Sequence, residues 1–146
     1  GVQTCALPIL LKGISGEDAV WDKRADPERF TLREAIAHLT DWEPIHVERI
    51  HRILNEEEPV LPDLDEGQFA IDNDYAHQDP IENIRLFAER RAELSALLKS
   101  LPTEAQDRAG IRPPAIGRIT LDEMATLILA HDVYHIDQVV AWLESP

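Results

Sequence analysis

The chain has 146 residues, 44% of them hydrophobic and 29% charged, with a formal net charge of −14 and a single cysteine. That is the size of one domain with one core, and an acidic balance without a basic footprint argues against nucleic acid or an anionic membrane as partner. No apolar run reaches the ~18–20 residues that cross a bilayer, so no membrane span is expected and the cytoplasm is the expected compartment.

Residues 1–9, GVQTCALPI, resemble a translated sequencing adapter, so the native domain is expected to cover residues 10–146. Cys5 then drops out, leaving neither a disulfide framework nor a thiol nucleophile. Leu10, Leu11 and Ile14 read as the tail of a truncated helix stopped at Gly13, and Ser15 to Asp18 as the start of a short turn through Trp21. Residues 22–29 are polar, contain Pro27 and read as loop. Thr31 and Glu34 form a capping box that opens a helix over 31–55. Its apolar positions Leu32, Ala35, Ile36, Leu39, Trp42, Ile50 and Ile53 have helical spacing, with His38 at the edge of the stripe. Pro44 is expected to bend this helix near Thr40 and Asp41, because it removes one backbone bond at a cost of about 3 kcal/mol.

Residues 56–78 are acidic and proline-bearing, and form a long connection of the kind that is often functional or disordered. Asp79 and Pro80 start a helix over 79–101 that Pro102 ends. One further turn is expected over 103–108, and loop over 109–119, where Gly110, Pro113, Pro114 and Gly117 cluster. The last helix, 120–142, opens with a second capping box, Thr120 and Glu123. The fold class expected is all-α: a four-helix bundle with its first helix largely truncated, leaving an apolar groove uncovered.

The chemistry lies on the last helix. At about 100° per residue, Met124, Leu127, Ile128, His131, Tyr134, His135, Gln138 and Trp142 share one face. His131 and His135 therefore stack one turn apart on an apolar stripe, a spacing that lets two imidazoles grip one ion. A third imidazole from a neighbouring helix would complete a site with positions open for water or substrate. His38 is the first candidate. His46 ranks second, since it joins the stripe only if the helix stays straight past Pro44. His51 and His77 have polar neighbours and read as solvated. Zinc is the default ion, and imidazole also suits nickel, iron and manganese. Gln138 could orient an imidazole or a bound water. Tyr134 and Trp42 could line a pocket or simply fill the core, the latter preferred for Trp142 and Met124. Glu43-x-x-His46 and Glu48-x-x-His51 match half of a di-iron pattern, but both copies sit on one helix where two helices are needed. The serines lack a nucleophile-elbow context.

The stretch Phe30 to Leu39, with Asp41-Trp42-Glu43, resembles the His-Leu segment of the DinB/YfiT-like superfamily. Residues 117–142, with His131-Asp132-x-x-His135-x-x-Gln138, resemble its second signature. The resemblance implies an up-down-down-up four-helix bundle and a divalent metal held by His38, His131 and His135. It implies a metal-dependent hydrolase, or an S-transferase using a low-molecular-weight thiol such as bacillithiol or mycothiol, and a homodimer. The expected function is thus activation of a small-molecule thiol or of water by the metal, with the catalytic groups themselves unassigned and Asp41 and Glu43 as conceivable bases. The alternative is a metal-stabilised bundle serving as a binding or stress-response module.

Overall fold

The computed structural model describes residues 6–24, 26 and 28–144; Cys5, Pro27 and the Ser145-Pro146 stop lie outside these. Among the described residues five α-helices carry the fold: α1 Ala6–Leu10, α2 Leu32–Asn55, α3 Glu66–Asp72, α4 Pro80–Ser100 and α5 Leu121–Glu144. Both predicted capping boxes form. The Thr31 hydroxyl accepts from Glu34 N at 3.2 Å while Glu34 accepts from Thr31 N at 2.7 Å. Thr120 and Glu123 repeat the exchange at 3.2 and 2.8 Å. Asp79 caps α4 from both Ile81 N and Glu82 N, with Pro80 as the first residue. On α4, Ile81 and Ala88 face solvent, while the inward face carries Asn83, Phe87 and Leu94.

The expectation of a purely helical chain needs correcting. Residues 109–119 do not form loop throughout: β1 Ala109–Arg112 pairs antiparallel with β2 Gly117–Thr120, Ala109 opposite Thr120 and Arg112 opposite Gly117. The proline-rich segment is the four-residue turn of this hairpin, a common hairpin length. Gly110 permits the hairpin's approach to α2, since a Cβ there would lie 2.8 Å from Leu61 Cδ1 and 3.1 Å from Ile53 Cγ1. The segment after α2 joins in parallel, with Leu61 N donating to Ile111 O and Ile111 N to Pro59 O at 2.7 and 2.8 Å. The long connection is therefore structured at both ends of its path: it extends the hairpin, then forms α3 and a 3-10 turn at Tyr75–His77.

Helix α2 runs as one hydrogen-bonded element through Pro44. The carbonyl that Pro44 cannot satisfy is that of Thr40, four residues back, and Arg90 Nη1 of α4 donates to it at 2.8 Å. A side chain from the neighbouring helix thus replaces the missing backbone donor, which is why the proline does not end the helix. Arg90→Met is expected to cost about 1.5–3 kcal/mol, the worth of a hydrogen bond to a charged group. Adding Pro44→Ala should recover part of that loss by restoring the backbone donor, and urea unfolding of the two variants and the double variant measures the coupling.

The core falls into two apolar clusters. One gathers Leu7, Trp21, Leu32, Ile36, Leu39, Phe87, Val139 and Trp142; the other gathers Ile50, Ile53, Leu61, Leu94, Ile119, Leu121, Met124 and Ile128. Between them α2 contributes His38, Thr40, Glu43 and His46, all buried, and α5 contributes His131, Asp132 and His135. The fold therefore places a belt of polar groups across the middle of the bundle. Among the described residues no helix is long and apolar enough to cross a membrane.

Candidate metal centre

Helical periodicity brings His131 and His135 to one face of α5, and packing of α2 against α5 brings His38 to meet them. His38 Nε2 lies 3.1 Å from His131 Nε2, and His135 Nε2 lies 3.2 Å from the same atom. An imidazole nitrogen carries one hydrogen or one lone pair, so His131 Nε2 can complete only one of these contacts as a hydrogen bond. A cation facing all three lone pairs resolves the conflict. Ligand atoms about 2.0–2.1 Å from one ion sit about 3.0–3.4 Å apart in ordinary geometries, the spacing seen here. The donor set, two buried imidazoles and the half-buried His131, fits a divalent metal.

The environment supports the neutral form that ligation requires. Burial, with smaller contributions from His135, His131 and His46, pushes the His38 imidazole down to about 2. Burial followed by His131 takes His135 down to about 4, and burial lowers His131 as well. His135 Nδ1 lies 2.9 Å from Gln138 Oε1, so a hydrogen on Nδ1 leaves the Nε2 lone pair free. Gln138 in turn donates to the Tyr134 hydroxyl at 3.1 Å. His38 Nδ1 is buried and has no protein partner.

His38, set at the edge of the α2 stripe by the sequence pattern, is fully enclosed in the structure. Tyr134 is 51% exposed, so it rims the site and does not fill the core. Trp42 lines it, its ring 4.2 Å from that of His38. His46 is buried because α2 continues past Pro44, and its ring centre is 6.0 Å from that of His131, but it is outside the convergent trio. His51 and His77 are exposed, as expected. Glu48 and His51 both face solvent, which removes the di-iron reading. Asp41 and Glu43 are bound to Arg90 and Arg91 and are not free bases.

Three features escape the sequence pattern. Phe30, Phe69 and Tyr75 extend the aromatic wall begun by Trp42, Phe30 standing 5.5 Å from the His38 ring and Phe69 5.3 Å from Trp42. Two of these come from the long connection, where no periodicity marks them. Arg91 of α4 forks onto Glu43 of α2 with bonds of 2.8 and 2.5 Å, and onto Asp132 of α5 through Nη2 at 2.8 Å and through Nη1. A signal for this one existed: Phe87, Arg91, Leu94 and Leu98 share helical spacing, and an arginine on an apolar stripe demands acid partners. The Asp132 carboxylate favours positive charge at His131, while Arg91 and Arg112 oppose it. A cleft of about 360 Å³ opens over His131 and His135 between Phe30, Glu66 and Gln138, large enough for a small molecule.

Comparison with known proteins points the same way. Over 107 residues the chain is 28% identical to YfiT of Bacillus subtilis (strain 168), whose name classes it provisionally as a metal-dependent hydrolase; the match covers 73% of this chain and 60% of YfiT, so the chain spans less than two thirds of that relative. A solved structure of Bacillus subtilis YfiT, described as an unusual four-helix bundle topology, superposes with a TM-score of 0.84 at 24% identity, covering 93% of this chain and 77% of that one. The likeness in structure establishes the shared bundle fold. The model of the DinB superfamily matches residues 6–139, nearly the whole chain, and the protein belongs to that superfamily.

Proposed function

We propose that the protein is a metal-dependent enzyme in which His38, His131 and His135 hold one divalent ion, zinc by default, and act on a small molecule in the adjoining cleft. The observation that carries this reading is that His38 Nε2 and His135 Nε2 both lie within 3.2 Å of His131 Nε2, which can complete only one of those contacts by sharing a proton. A divalent ion held by these three neutral imidazoles would supply Lewis acidity that lowers the pKa of a water or thiol. The residues around it have separable tasks. Gln138 holds His135 in the ligating tautomer. Phe30 and Trp42 shield the inner side of the trio from water, and the Arg91 network fixes α5 against α2. Asp41 and Glu43 are held by Arg90 and Arg91, so the proton released from a water or thiol would leave to solvent through the open cleft. Water gives hydrolysis, and a low-molecular-weight thiol gives S-transfer. The compartment in this reading is the cytoplasm and the assembly a homodimer; Leu129 and Val133 on α5, 56% and 51% exposed, support a second copy there.

A second reading, a metal that only staples α2 to α5, is favoured by the ligands' position in the middle of the bundle. Metal analysis with assays separates the two. The full chain is expected to bind one ion, and His38→Ala and His135→Ala to lose it. Gln138→Leu should weaken binding about 10–100-fold. Chelator-sensitive turnover of esters, or of a thiol with an electrophile, establishes the enzyme. Chelation that unfolds a protein with neither activity establishes the staple.

A further inference from the structure

We propose that Arg49 and Arg112 form an anion site beside the three-histidine cluster, which holds a carboxylate of the small molecule. The substrate identity rests on the metal-enzyme reading; the anion site itself does not. Arg49, on the α2 face that carries His46 one turn earlier, is only 5% exposed. Its Nη2 donates to Pro62 O at 3.0 Å, and among the described residues no carboxylate lies within ion-pair distance of it. Arg112 ends β1, and its Nη2 donates to Asp63 Oδ1 at 2.8 Å. The two guanidiniums are thus anchored to consecutive residues, Pro62 and Asp63, in the segment that pairs with β1. Arg112 Nε is buried with no partner.

A chain with a net charge of −14 has carboxylates to spare, yet among the described residues only Asp63, itself 54% exposed, ion-pairs with either cation, and Glu48 and Glu66 act on them at longer range. Burial, and then the charge of Arg112, pull the Arg49 guanidinium below its ordinary value. Like charges held together without full compensation are costly for stability, and an incoming anion repays that cost by accepting the free N–H groups. The site lies near the histidines: the charges of Arg49 and Arg112 both reach His46, whose ring is 6.0 Å from that of His131, and the charge of Arg112 reaches His131 as well. Asp63 and, at longer range, Glu48 and Glu66 offset much of the charge of the two guanidiniums, so the pair suits a singly charged carboxylate better than a dianionic phosphate. The planar fork of arginine suits the same group.

Calorimetric titration with succinate, at constant ionic strength against chloride, tests the site in the metal-loaded full chain. Saturable succinate binding is expected, about tenfold or more weaker in Arg49→Met and in Arg112→Met. Arg118→Met, which removes a surface pair with Glu58, should bind as the parent does. If Arg49→Met does not fold, Arg49→Lys keeps the charge without the fork and should still bind several-fold more weakly. Binding unchanged in the variants, or absent in the parent, overturns the site; tighter binding of inorganic phosphate overturns the carboxylate assignment. Metal content is measured in parallel. Succinate binding that survives in His38→Ala, without metal, upholds this site independently of the proposed enzyme, whereas intact metal with no arginine dependence rejects this site alone.

Discussion

Acidifying the metal-free protein from pH 6.5 to 4.5 unfolds it. The imidazoles of His38, His46 and His135 titrate near the ordinary 6.5 in the unfolded chain, but near about 2, about 3 and about 4 when folded, burial being the main cause in each. Between these values the unfolded state binds protons that the folded state refuses, so stability is full above pH 6.5 and falls as the pH drops. Each group contributes about 1.4 kcal/mol per pH unit, and three together about 4 kcal/mol per unit. A domain of this size has about 5–15 kcal/mol to lose, so the transition falls within two to three units. Helical circular dichroism against pH, with chelator present, measures it. Excess zinc binds the neutral rings and should move the transition to lower pH. A chelated protein equally stable at pH 6.5 and 4.5 would show that the rings are not held neutral inside the bundle.

Arg91→Met is the substitution expected to damage the fold most. It leaves Glu43, whose side chain is 1% exposed, and Asp132, 14% exposed, facing each other without their shared cation. Burial already raises the Glu43 carboxyl, and the Arg91 guanidinium is what draws it back. Removing one member of a buried ionic group costs about 3–5 kcal/mol, because the desolvated partners stay behind. The triple change Arg91→Met, Glu43→Leu and Asp132→Leu should cost less than Arg91→Met alone, since no buried charge is then orphaned. Urea unfolding midpoints compare them. If Arg91→Met proves neutral, the network is a surface pairing and does not position Asp132 or its neighbour His131.

Much of the site was written in local pattern. The pair His131 and His135 follows from helical spacing alone, and the capping boxes at Thr31 and Thr120 mark where the two ligand-bearing helices begin. His38 was reached as a candidate from its apolar neighbours and from the superfamily pattern, although its edge position on the stripe understated its burial. The hairpin was hidden because its strands are four residues long and its glycines and prolines read as breakers; their role is to make the turn and the close approach to α2. The aromatic wall was hidden because Phe69 and Tyr75 lie in a connection whose path depends on what it packs against.

The amino-acid sequence by itself determined the three long helices, their N-terminal caps and the stacked histidine pair, because these depend on residues within a few positions of one another. Tertiary structure alone decided that Arg90 would rescue the helix at Pro44, which acids of two other helices Arg91 would take, and that Arg49 and Arg112 would be anchored to consecutive residues. Each of these joins groups more than ten residues apart, where no periodicity links them. What selects them is the cost of leaving a buried carbonyl or charge without a partner, and that cost exists only once the helices have packed.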